Sequence, residues 1–119
     1  MQHNSVTLKV TIAGRSFIRV LVTLNSGNTE RYREFIEHEY ATSVVREQSI
    51  DDLVASYQAI YDQTGGLDIF KVYATQRFST ISVVKAKKDG SLLLAQITVD
   101  DLQPHGILEF KIDSAPDNL

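Results

Sequence analysis

The chain has 119 residues, a net charge of −3, 43% apolar and 23% charged residues, and no cysteine. That length suits one domain able to bury about two-thirds of its unfolded surface, and the composition is that of an ordinary globular protein. The acidic balance gives no electrostatic footprint for nucleic acid. Without cysteine there is no disulfide, thiol nucleophile or cysteine metal site.

No run is long and apolar enough to cross a bilayer as a helix. Residues 1–12 lack a signal peptide's basic start and continuous apolar centre. The absence of cysteine fits the cytosol, and a trimmed exported domain would look the same, so the compartment is left open.

Ser5 to Ile12 alternates apolar Val6, Leu8, Val10 and Ile12 with polar Thr7, Lys9 and Thr11. The period of two reads as a short strand over 5–12, with a frayed helical start as the rival. A first helix is expected over about 13–25, apolar nearly all round, with Arg15 and Arg19 reaching outward. Leu24-Asn25-Ser26-Gly27-Asn28 is the stretch that organises the rest. Gly27 supplies a positive φ to end one helix, and Asn28 is a good N-cap for the next. Glu30 in the first turn suits the helix dipole. Tyr32, Phe35, Ile36 and Tyr40 then recur at helical spacing in a second helix over about 29–40.

Ala41 to Gln48 shows no period and reads as a loop. Ser49 caps a third helix over about 49–64, with Asp51 and Asp52 in its first turn and Leu53, Val54, Tyr57, Ile60 and Tyr61 as its buried stripe. Gly65-Gly66 ends it. Four strands follow, over about 67–75, 78–87, 92–99 and 107–112, rich in β-branched, aromatic and leucine residues. Asp89-Gly90 predicts a two-residue type I′ hairpin, with Lys85, Lys87 and Lys88 as its solvated end. Three helices followed by an antiparallel meander predict an α+β fold with the helices on one face of a curved sheet.

With these elements in place, the chain from about Thr11 to Ile112 resembles the nuclear transport factor 2-like (SnoaL-like, cystatin-like) superfamily. The resemblance is carried by Leu24 to Asn28, Tyr32 through Ile36, the Gly65-Gly66 stop, and Pro104-His105 with Ile107 to Ile112. It is strongest to the small domain ahead of β-lactamase-like or tail-specific-protease-like serine hydrolases. Those carry an Asn-Ser-Gly-Asp corner, a Gly-Gly-Leu before the first long strand and a Pro-His-(Lys/Gly)-Ile before the last. Asn28 stands where their aspartate does, which keeps the cap and removes a charge. The resemblance implies a cone-shaped fold whose sheet wraps the first helix around a pocket. It also implies a homodimer formed through the sheet, or an attached hydrolase module, as partner.

Within that superfamily, the ketosteroid isomerase pattern would put its tyrosine donor on Val20 and its general-base aspartate near Val44, and neither side chain moves a proton. The epoxide-hydrolase relay finds only Asp68, Arg77 and Glu109. Asp51 and Asp52 read better as helix-capping charges than as a metal or acid/base pair. His38 and His105 have no ligand-like companions, and Ser79, Ser82 and Ser91 lack a nucleophile-elbow context. No cofactor or metal is expected. Tyr57, Tyr61 and Tyr73 offer rigid rings with one hydroxyl each, suited to a small apolar ligand, and Gln96 and Thr98 are polar positions in an apolar strand that can line the same pocket or lie on the outer face at a dimer contact. Against this stands the plainer reading of core tyrosines with hydroxyls at the rim.

Three functions follow: a non-catalytic accessory or interaction domain, a small apolar-ligand-binding protein using the cone pocket, or an isomerase or cyclase with an unfamiliar catalytic set.

Overall fold

The computed structural model describes residues 8–115. From Ile12 onward the described residues form an α+β fold, with four helices followed by four strands. The expected strand over 5–12 falls partly outside the described residues. Within them it is overturned, because Leu8 and Lys9 are helical and Thr11 is already an N-cap. Leu8 is buried in the core, so tertiary burial of a single leucine decides against the alternation.

Helix α1 (Ile12–Asn25) begins where the Thr11 hydroxyl accepts from the Gly14 N–H at 2.9 Å. The Thr11 hydroxyl also meets that of Thr75 at 2.9 Å, and the Ala13 N–H donates to the Arg77 carbonyl. Its buried face is Ala13, Phe17, Val20, Leu21 and Leu24, while Val22 is 65% exposed, so the helix is covered on fewer sides than its composition suggests.

At the corner Gly27 has φ 63°. A Cβ there would lie 2.7 Å from the Tyr61 ring, so glycine is required by both the backbone and its neighbour. Asn28 Oδ1 then accepts from the Glu30 and Arg31 N–H groups and starts α2 (Thr29–Glu39). The Tyr32 hydroxyl donates to the Leu24 carbonyl at 2.9 Å and ties α2 back to α1.

The expected loop 41–48 is instead a short helix, α3 (Thr42–Glu47). Its N-cap, Ala41, makes no side-chain cap bond, and six residues are too few to show a period. It is held by context: the Ala41 N–H donates to the Ile107 carbonyl at 2.9 Å, and Val44 and Val45 pack on the core. Helix α4 (Ile50–Thr64) starts at Ser49, whose hydroxyl accepts from the Asp52 N–H, and stops at Gly65 in the left-handed conformation.

The sheet is β1 (Leu67–Thr75), β2 (Ser79–Ala86), β3 (Leu92–Val99) and β4 (Ile107–Ser114), antiparallel in that spatial order. Asn25 joins helix to sheet, because its side-chain amide donates to the Leu67 carbonyl and accepts from the Leu67 N–H, both at 2.8 Å. Two register shifts in β1 bend that strand.

The β2–β3 connection is not the expected two-residue turn, since Gly90 has positive φ and Asp89 does not. The loop is longer, closed by Gly90 N–H to Ala86 C=O and Ala86 N–H to Ser91 C=O. Its lysines are also less free than expected. The Lys88 N–H donates to the Thr64 carbonyl and its ammonium to the Asp62 carbonyl, so the loop covers the C-terminus of α4. Ala95, Ile97 and Val99 of β3 and Val84 of β2 face the core with α1 lying over them.

Candidate functional site

Helix α4 packs mainly on α2, and α1 lies on the sheet. Between α4 and β4 this leaves a cleft of about 750 Å³. One wall is α4, through Leu53, Ser56, Tyr57, Ile60 and Gln63. The other is residues 108–114 of β4, seven in succession. Side chains of a strand alternate between faces, so a wall formed by every residue is the strand's edge. Apolar and polar groups share the lining, with Phe110 and Ile112 beside Glu109, Lys111 and Asp113.

Tyr40 and Tyr57 line the buried end, 8% and 2% exposed. Their hydroxyls lie 2.9 Å apart. The Tyr57 ring is packed among Tyr32, Phe35, Tyr40 and Phe110, with centroids between 5.6 and 6.5 Å away. Burial pushes the Tyr40 phenol up to about 12, opposed only by its bond to Tyr57. Burial also raises Tyr57 well above the usual phenol range, with a further contribution from Tyr40 beside it. Both are therefore neutral phenols near pH 7, each with one proton and acceptor capacity. The bond between them uses one of the two protons. The other phenol keeps its own proton.

Of the residues expected to line the pocket, the structure brings only Tyr57 to this cleft. The ring of Tyr61, one helical turn later, lies against the Gly27 corner. Tyr73 sits at a register shift of β1 and is 59% exposed. Thr98 pairs with Ser79 and Glu109, on the face opposite the buried Ala95, Ile97 and Val99. Tyr40 was legible as the last apolar position of the second helix. Its pairing with Tyr57, 17 residues on, follows only from the α2–α4 packing.

Most of the remaining chemistry-bearing residues are engaged elsewhere. The His38 ring meets the Glu34 carbonyl, and the His105 ring meets the Asp100 carbonyl and lies near Phe78. Asp51 pairs with Arg33 at 2.6 Å, and Asp68 with Lys87 at 3.5 Å. Arg77 lies over Phe78. Val20 is fully buried in the core and Val44 packs against it. Among the described residues no group of three or more His, Asp or Glu side chains is placed to hold a metal, and no helix is long and apolar enough to cross a membrane. A second, shallower hollow of about 340 Å³ lies between α1 and β1, lined by Ile18, Leu21, Val22 and Leu67. No protein-family model, curated protein or solved structure gives a match to this chain.

Proposed function

We propose that this chain is a non-catalytic binding domain of the nuclear transport factor 2-like, cone-shaped kind, and that the α4–β4 cleft takes a small, largely apolar ligand carrying a hydrogen-bond acceptor such as a carbonyl. The observation that carries this reading is the cleft itself. Its volume of about 750 Å³ lies within the range of ordinary ligand sites, roughly 300–1,000 Å³, and it ends on a buried phenol pair with one unspent proton. Rings of Tyr57 and Phe110 supply apolar walls, and the hydroxyls fix orientation.

The absence of catalysis is supported by the charged groups at the cleft. Glu109, Lys111 and Asp113 are all exposed, and no acid or base other than a phenol is buried among the described residues. A phenol held near 12 is a poor proton donor at neutral pH. The cone reading draws further support from the parallel bridge between Tyr40 and Ile107, which brings the chain after α2 alongside the last strand.

A panel of mono- and bicyclic ketones, titrated by native mass spectrometry and thermal shift, tests the proposal. Saturable one-to-one binding is expected. The double variant Tyr40→Phe/Tyr57→Phe should weaken it by up to about tenfold, the net worth of one buried hydrogen bond. Each single variant should lose less, because one hydroxyl remains. Binding indifferent to the double variant, or no saturable binding at all, would overturn it.

One further observation favours a second reading, that of an interaction domain. Val83, paired with Lys71 and Leu94, is 1% exposed yet stands outside the main core, and on the neighbouring strand β1 Phe70, under the Lys85 ammonium, and Tyr73 are 50% and 59% exposed. The two exposed rings suit contact with a folded partner such as a hydrolase module. Cross-linking from the exposed Tyr73 would report such a contact.

A further inference from the structure

The sheet ends at β4, and beyond its first residue the described residues add nothing to that edge. Ile107 alone is bridged, by Tyr40 and Ala41. Alternate residues of an edge strand turn their N–H and C=O groups outward, a template for another strand. Here that edge runs along the mouth of the cleft, through residues 108–114.

We infer that the free edge of β4 pairs antiparallel with β4 of a second copy of this chain, giving a two-fold dimer with one continuous sheet. The argument for a second copy is the charge order of the strand. Glu109, Lys111 and Asp113 share the outer face, opposite Thr98, Gln96 and Leu94 of β3, while Phe110 and Ile112 pair with Ile97 and Ala95 on the inner face. A two-fold that keeps both inner faces on one side allows only registers centred on a residue, and three are within reach.

Centred on Lys111, the register opposes Lys111 to Lys111 and Glu109 to Asp113, like charges throughout. Centred on Phe110, it sets Glu109 against Lys111 twice, but β4 runs on to Ser114, so each copy would carry its Asp113 opposite the Ile107 of the other, where Ala41 is already bonded. Centred on Ile112, it sets Lys111 against Asp113 twice, Ile112 against Ile112, and Phe110 against Ser114. Among the described residues, this is the charge-complementary register that sets no residue of β4 against the occupied Ile107. It also brings the partner's Ile112 and Ser114 to the mouth of each cleft, so that each copy completes the other's site. The pairing rests on the strand edge and its charges and not on the identity of the cleft's ligand.

Sedimentation velocity from about 1 µM to about 1 mM tests the inference. A monomer–dimer equilibrium is expected, weakened at least tenfold by Lys111→Asp, which opposes Asp to Asp at both ends. The charge swap Lys111→Asp/Asp113→Lys should restore it. Both positions are exposed, and circular dichroism would show that the variants fold. Increasing salt should also weaken the dimer. A chain monomeric throughout would overturn the proposal, whether or not it then accepts a foreign strand. So would a dimer indifferent to Lys111→Asp, or one dissociated by Tyr73→Glu on the outer sheet face.

Discussion

Ser82 is the one buried polar side chain among the described residues whose oxygen has no hydrogen-bond partner. It is fully buried on the inner face of β2. An unpaired hydroxyl carries a desolvation cost with nothing to offset it. Ser82→Ala should therefore be neutral or stabilise by up to about 1 kcal/mol in urea unfolding, against the usual direction for a core substitution. A loss larger than this would mean that the hydroxyl is bonded in solution. Gly27→Val should destabilise by about 1–3 kcal/mol, since φ 63° is strained for a β-branched residue and the Tyr61 ring already fills the space. A melting temperature like that of the parent chain would show that the corner is built differently.

The phenol pair gives a dependence on pH with a definite sign. Tyr40 is raised in the folded state from the ordinary 10.0 to about 12, and Tyr57 is raised as well. The folded state thus holds protons that the unfolded chain releases above pH 10, so stability is full below pH 10 and is lost as pH rises toward 12. Tyr40→Phe should flatten that loss. Tyrosinate absorbance should show late-ionising phenols, and Tyr40→Phe should remove one of them.

At the scale of elements, Asn25 is the joint on which helix and sheet meet. Its amide replaces a backbone rung for Leu67 and satisfies both the N–H and the C=O of the residue that opens β1. Asn25→Ala would leave both without partners and should cost about 1–3 kcal/mol. Asn25→Asp keeps the acceptor but sets a carboxylate against the Leu67 carbonyl, so it should not rescue. Equilibrium unfolding of the two variants distinguishes the joint from simple packing. The β2–β3 loop shows the same logic, because its lysine-bearing backbone closes the end of α4 as well as turning the hairpin.

Across the whole molecule, the cleft exists because the two ends of the chain's path are pinned while the middle is not. The segment 40–41 is fastened to Ile107, and α4 is fastened to α2, which leaves α4 and β4 facing each other across a gap. Gly106 is what lets the first seam close. A Cβ there would lie 2.6 Å from the Ala41 Cα. Gly106→Ala should force the seam apart at about 1–3 kcal/mol and weaken ligand binding in the cleft, with the circular dichroism spectrum retained. Unchanged stability would show that the Tyr40–Ile107 bridge is dispensable.

Much of this architecture was legible from local signals. Thr29–Glu39 and Ile50–Thr64 were announced by Asn28, Ser49 and Gly65, whose capping chemistry acts within one turn, and the four strands by their β-branched runs. The corner at Gly27 was legible for the same reason. Where a neighbour distant in sequence decides, local pattern fails. Leu8 is helical because the core takes its side chain, α3 forms without a cap because Ile107 holds Ala41, and Tyr73 turns outward where β1 shifts register. Tyr57 was singled out as an aromatic on an apolar helical face. Its hydroxyl partner, the edge of β4 opposite it and the cleft between them arise from how α2, α4 and the last strand are set in space. No periodicity along the chain encodes that arrangement.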